Sequence, residues 1–215
     1  MSARSPGRLK GVALALALLA GCGEAPLVAG AGSSGPRTDP GPEDPTDFGA
    51  LPDFRLLDQR GQIVGLADLS GRPLVLGALF STCAGPCPSI ARSLAHLQRE
   101  LSDTDVRIVV VSVDPEHDTP EVLTRYAARV GADPARWTFL TGERAAVHAF
   151  VQQGLFMAIE RSASEGLTHD VRLLAVDRRG HRRGWYPGTE EPQVERLLRR
   201  MRFLAAEAVE TTAPR

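Results

Sequence analysis

Cysteine is scarce in this sequence. The chain of 215 residues holds three, Cys22, Cys83 and Cys87. Lysine is scarcer still: Lys10 is the single one, so arginine carries nearly all the positive charge. The net charge of -1 leaves no excess of either sign, and nothing points to a nucleic-acid partner. The arginines are scattered, with one dense cluster, "RRGHRR" at 178–183, which reads as a solvated hairpin turn. No internal repeat is visible. No apolar run is long enough for a comfortable membrane span, because the strongest, "GVALALALLA" at 11–20, is only ten residues. A hydrophobic content of 43% and a charged content of 24% are ordinary for a soluble globular protein.

The short apolar run reads as an address rather than a fold element. Arg4, Arg8 and Lys10 precede it as a positive region. "LAGC" follows it, ending at Cys22, and resembles the bacterial lipobox, in which cleavage falls before a cysteine whose thiol is lipidated. Residues 1–22 are expected to be a lipoprotein signal peptide ending in that cysteine. Residues 23–48 are rich in Gly, Pro, Ser and Asp and almost free of large apolar side chains, so they read as a tether. About 25 flexible residues reach roughly 25–30 Å. This places the domain outside the cytoplasm, at the surface of a bacterial membrane. The folded domain is expected over 49–209, followed by a flexible tail at 210–215.

Within the domain, apolar patterning alternates between strand and helix. Residues 53–71 read as a hairpin around Gly61, and "RPLVLGALF" at 72–80 as a strand buried on both faces. Ile90, Leu94, Leu97 and Leu101 recur at helical spacing over 89–101. A second buried strand is expected over 106–114. A helix over 119–131 has Thr119 as N-cap, Pro120 at its first position and Gly131 as stop. A short strand over 137–140, a helix over 143–153, a hairpin over 170–188 turning near Gly180, and a closing amphipathic helix over 191–209 complete the reading. The alternation implies right-handed crossovers and a mostly parallel sheet centre, with the late hairpin adding an antiparallel edge. The expected class is α/β, with a central mixed sheet flanked by helices and an N-terminal β-hairpin. The element order resembles a thioredoxin-like fold.

"FSTCAGPCPSI", residues 80–90, carries the chemistry. C-x-x-x-C spacing brings Cys83 and Cys87 to one side of a turn, one helical repeat apart. Cys87 is expected at a helix start, where unpaired N–H groups and the helix dipole favour a thiolate. Pro86 and Pro88 stiffen the segment. Such a pair suits a soft metal ion, Cu(I) or Zn(II), or a disulfide. Two thiolates alone make an incomplete metal site. Of the five histidines, His96 and His148 lie in predicted helices and read as packing residues, while His181 sits in the arginine-rich turn and reads as solvated. His117, on the loop after a central strand, is a candidate accessory group. His169 is the leading third ligand, because it immediately precedes the strand expected over 170–177, and residues at that place in a thioredoxin-like fold face the cysteine turn.

"STCAGPCPS", "VVVSVDPEHDTPEVLTRYA" and "THDVRLLAVDRRGHRRGWYPG", in that order, resemble three segments of the Sco/SenC family of copper-handling, thioredoxin-fold proteins. The resemblance runs over about residues 50–205. It implies copper ligands at Cys83, Cys87 and His169. It implies delivery of copper, as Cu(I) or Cu(II), to the binuclear copper site of cytochrome c oxidase or another copper acceptor, or reduction of that site's cysteines. Thiol reductants are implied as further partners. Three departures stand out: "AGP" between the cysteines, His117 where the family more often has arginine, and Asp170 after the histidine where a hydroxyl residue is common. The main rival is a thiol–disulfide oxidoreductase or thiol peroxidase in which Cys83 attacks and Cys87 resolves. Against it stand the C-x-x-x-C spacing and Thr168-His169, where thioredoxins place a cis-proline. A purely structural disulfide is a third reading, though so short a loop gains little from closure. His169→Ala is expected to leave the fold intact, on the view that it lies in a loop.

Overall fold

The computed structural model describes residues 43–162 and 166–207. The expected signal peptide with Cys22, residues 23–42 of the expected tether, residues 208–209 and the tail 210–215 lie outside the described residues. Among the described residues no helix is long and apolar enough to cross a membrane.

The chain opens with a hairpin, β1 (Arg55–Asp58) and β2 (Ile63–Gly65), and a one-turn helix α1 (Leu66–Leu69). It continues through β3 (Leu74–Leu79), α2 (Cys87–Glu100), β4 (Arg107–Ser112), α3 (Pro120–Val130) and β5 (Trp137–Thr141). Helix α4 (Arg144–Ala149) runs directly into a π-helical turn at Phe150–Gly154. A two-stranded ribbon follows, β6 (Ile159–Ser162) and β7 (Gly166–His169). The hairpin β8 (Arg172–Val176) and β9 (Arg182–Pro187) and the closing helix α5 (Glu191–Ala206) complete the domain.

Seven strands form one sheet in the order β2-β1-β5-β4-β3-β8-β9. The central β5, β4 and β3 are parallel, and every other pairing is antiparallel. The centre reads as unbroken apolar runs because both faces are covered. Successive residues of a strand point to opposite faces. Val75 and Leu79 of β3 and Ile108 and Val110 of β4 accordingly join one core with α2, α3 and α5. Leu74, Leu76, Val109 and Val111 join a second core with α4 and the π-helical turn. Gly77 interrupts the run because a Cβ there would sit 2.8 Å from the Leu173 side chain of the neighbouring strand. Helix α3 begins and ends as its sequence dictates: Thr119 Oγ accepts from the Val122 N–H, and Gly131 closes it at φ 70°.

Two expectations fail. The chain between α4 and β8 forms the ribbon β6–β7, where no strand is expected; its strands are four residues each and pair only with one another. The arginine cluster is not a solvated turn. Arg178 donates to the Asp105 carboxylate and the Ala205 carbonyl. Arg182 and Arg183 are 7% and 6% exposed. Arg183 pairs with buried Asp177 at 3.0 Å and donates to the Thr46 carbonyl at 3.1 Å. His181, expected to be solvated, bonds Asp47 at 2.6 Å. Together with Arg200, which donates to the Asp44 carbonyl, His181, Arg182 and Arg183 hold the segment 44–48 against β9 and α5. Only Arg179 of the cluster keeps a largely exposed side chain. Asp105, Thr46 and Asp47 lie more than 70 residues away in sequence, so the local run of charge carried no sign of them.

Candidate metal centre

The cysteine loop hangs from the carboxyl end of β3. Its geometry is set by a residue of the next loop. Asp118 is fully buried, and its carboxyl group accepts from the Ser81 N–H at 2.9 Å, the Ser81 hydroxyl and the Ser112 hydroxyl at 2.5 Å. Its own carbonyl accepts from Thr141 Oγ1 at 2.8 Å, tying the same loop to β5. The Ser81 carbonyl accepts from Arg129 of α3 at 3.1 Å. Two residues later the Cys83 N–H bonds the Phe80 carbonyl, and Cys87 opens α2 with Pro86 at its N-cap.

His169 reaches this loop from the end of β7, where it pairs with Ile159. It is therefore a ribbon residue and not the loop residue expected from sequence. Its Nδ1 lies 2.7 Å from the Asp170 carbonyl, which can only accept, so Nδ1 carries the proton and Nε2 keeps its lone pair. Nε2 is 3.2 Å from Cys87 Sγ. The ring stands edge-on to Phe80, with centroids 5.9 Å apart. The Asp170 carboxylate turns away, onto the Arg172 guanidinium at 2.6–3.0 Å. An anion at position 170 is thus neutralised beside the trio rather than entering it.

The ligand atoms of Cys83, Cys87 and His169 all lie within 4.8 Å of one another, and among the described residues no other group of metal-ligating side chains gathers this way. Three donors held at about 2.2 Å around one ion in a plane stand about 3.8 Å apart. The 3.2 Å between Cys87 and His169 and the 4.8 Å limit on all three pairs lie on either side of that value. The structure does not bring His117 to this group: it lies on the turn after β4, outside the trio. His96 bonds Glu195 on α5 at 2.7 Å, and His148 bonds the Val113 carbonyl at 3.1 Å, both as packing residues. The Asp114 carbonyl accepts from the N–H groups of His117 and Asp118 and so shapes the turn.

The two sulfurs are unlike. Cys87 is 1% exposed, whereas Cys83 is half-buried. Burial pushes the Cys87 thiol up to about 12; the adjacent Cys83 sulfur adds to the rise, and the backbone N–H groups of Phe80 and Cys87 oppose it only in part. This reverses the expectation that the helix start would favour a thiolate, because loss of water outweighs the dipole. Burial also lowers the His169 ring below its ordinary 6.5, against the opposing pull of Asp170, so the ring is neutral near pH 7. Chemically, the site offers two soft sulfurs and one neutral imidazole nitrogen, the donor set that suits a soft monovalent or borderline divalent ion. It can equally close as a disulfide.

Sequence reading missed Asp118 and Phe80. Asp118 sits directly before Thr119-Pro120, and the helix-start reading of that tripeptide hid its tie to Ser81 across the sheet.

Residues 43–204 match the family model described as SCO1/SenC. The SCO1 protein homolog of Bacillus subtilis (strain 168) is 35% identical over 102 residues, 46% of this chain and 52% of that protein. This chain thus matches about half the length of that relative. A structure of BsSco, described as a member of the Sco family of cytochrome c oxidase assembly proteins with a disulfide switch, superposes with a TM-score of 0.68 at 26% identity, over 76% of this chain and 97% of that one. Copper-bound ScoI of Bradyrhizobium japonicum superposes with a TM-score of 0.61 at 24% identity, over 73% of this chain and 100% of that one, which is a likeness of fold. The thioredoxin-like sheet, the loop of two cysteines and the histidine that meets them all fall inside the stretch that the family model matches, and on that match the chain belongs to the SCO1/SenC family.

Proposed function

We propose that this chain binds copper through Cys83, Cys87 and His169 and hands it to an acceptor protein. The observation that carries the reading is the convergence of three donors from two separate elements within 4.8 Å, with the histidine tautomer fixed so that its free nitrogen faces the sulfurs. A three-donor site of two thiolates and an imidazole suits Cu(I), and Cu(II) is held by the same trio with an added oxygen ligand. Release proceeds by ligand exchange: an incoming thiolate takes up the ion as one of these donors lets go. The acceptor is the copper-site subunit of cytochrome c oxidase, consistent with the oxidase-assembly role stated for BsSco. The "LAGC" motif supports lipidation at Cys22 and tethering on the outer side of a bacterial membrane.

The test is an anaerobic copper titration of the reduced full-length chain carrying Cys22→Ser, beside the same chain with His169→Ala. The reading requires one copper per chain, and a loss of affinity of at least about 100-fold with an altered Cu(II) spectrum in the His169 variant. Unchanged affinity and spectrum would refute the three-donor site.

The asymmetry of the two sulfurs supports a second activity, thiol–disulfide exchange with the acceptor's cysteines: half-buried Cys83 is open to a partner and buried Cys87 is placed to resolve. Retention of acceptor reduction by the His169→Ala variant after its copper affinity is lost would separate this activity from metal transfer.

A further inference from the structure

A groove of about 470 Å³ opens beside Cys83, between α2 and α3. Its apolar wall is built by Ala91 and Ala95 of α2 and by Tyr126 of α3. Two arginines, Arg92 and Arg129, line it, and no Asp or Glu does. Arg129 is fixed in place: it donates to the Ser81 carbonyl at 3.1 Å and lies 4.9 Å from the centre of the Tyr126 ring. Arg92 stands at an exposed position on α2. Cys83 lines the groove, whereas Cys87 does not. A ligand lying here thus finds one sulfur, an apolar wall and two positive charges.

We propose that this groove receives an anionic low-molecular-weight thiol, a carboxylate-bearing thiol peptide in chemical class, that reduces the Cys83–Cys87 disulfide. The proposal rests on the second reading above, of the pair as a thiol–disulfide exchange site. Two guanidiniums match two carboxylates, and the volume is in the range of small-ligand sites. The accessible sulfur fixes the direction of attack. The ligand's thiolate attacks Cys83 Sγ. An S–S bond forms between ligand and Cys83 while the Cys83–Cys87 bond breaks. The electron pair leaves on Cys87 Sγ, which takes a proton from solvent. A second ligand thiolate then attacks the ligand sulfur of the mixed disulfide and expels the Cys83 thiolate. In sum, one protein disulfide and two thiols become one protein dithiol and one ligand disulfide.

The experiment uses the full-length chain with Cys22→Ser, oxidised to the Cys83–Cys87 disulfide. Reduction rates, expressed per thiolate, are compared for glutathione (two carboxylates), 2-mercaptoethanol (neutral) and cysteamine (cationic), at low and high salt. The proposal requires glutathione to be fastest, to slow with added salt, and to lose about tenfold in rate in Arg92→Glu while the 2-mercaptoethanol rate holds. Arg129→Gln supplies a second variant with the same expected order. Equal slowing of all three thiols, or no change for glutathione in either variant, overturns it. Copper titration of the reduced Arg92→Glu chain keeps the two readings apart: normal copper binding with an unchanged glutathione rate sinks the groove alone, and absent copper binding in the parent chain sinks the metal site alone.

Discussion

Copper uptake at this site should be strongly pH-dependent, and buried Cys87 sets the slope. The ordinary thiol value of 9.0 is pushed to about 12 by burial beside a second sulfur. Each pH unit is worth about 1.4 kcal/mol, so burial adds about 4 kcal/mol to the cost of forming this thiolate. At pH 7 the thiol must lose its proton about five pH units below its own value, a cost of about 7 kcal/mol that the bound cation offsets by neutralising the charge. Because the proton leaves as the metal enters, Cu(I) affinity should rise at least about tenfold per pH unit between roughly pH 6.5 and 9. His169, already neutral above its lowered value, adds no slope over most of this range. The assay is competition against a Cu(I)-selective chelator at several pH values, corrected for the chelator's own titration, with proton release read in weak buffer. Affinity that changes less than about threefold over the whole range, or uptake without proton release, would refute the argument that Cys87 is protonated in the metal-free chain.

The same asymmetry orders the chemistry of the metal-free pair. Iodoacetamide at pH 7 should label Cys83 well before Cys87. A thiol raised from 9.0 to about 12 forms about a thousandfold less thiolate at that pH, and peptide mapping that finds equal labelling contradicts this. Asp118→Ala should destabilise the domain by about 3 kcal/mol, one for each hydrogen bond it accepts from Ser81 and Ser112, and should weaken copper binding by loosening the cysteine loop. A shift in the urea midpoint equivalent to less than about 0.5 kcal/mol, the size of an ordinary surface substitution, rejects that role. Alkaline pH should unfold the reduced protein. Cys87, Tyr126 and Tyr186 are all raised to about 12 by burial, so the folded chain holds protons that the unfolded chain releases. Their stability is fully present below about pH 9 and is lost as pH rises toward 12, about 5 kcal/mol of it by pH 11. Urea unfolding that is equally hard at pH 8 and pH 11 counts against it.

Much of this architecture can be read from local pattern. The continuous apolar runs of β3 and β4 announce a doubly covered sheet, and Thr119, Pro120 and Gly131 bound α3 to within a residue. The site is legible in part, because Cys83 and Cys87 share a turn and His169 precedes a strong strand. What stays hidden depends on contacts that no local window contains. The ribbon β6–β7 has too few residues for alternation to register. Helix-start chemistry suggests a thiolate at Cys87, but its protonation follows from burial under the sheet. The arginines of 178–183 read as exposed because their partners, Asp105 and the carbonyls of Thr46 and Ala205, come from distant parts of the chain, as does Asp47, which holds His181.

Those arginines also fix where the amino-terminal segment meets the domain. Arg182 faces Val176, and Val176 faces Leu74, the first residue of β3. The clasp on residues 44–48 is therefore at the foot of β3, whereas the sulfurs sit above its head. Six residues of strand put about 20 Å between those levels. With the proposed anchor at Cys22, the chain would enter the domain at the end opposite its donor atoms. The clasp fixes residues 44–48 against the domain, so the distance between the chain's entry and the donor atoms is built into the fold.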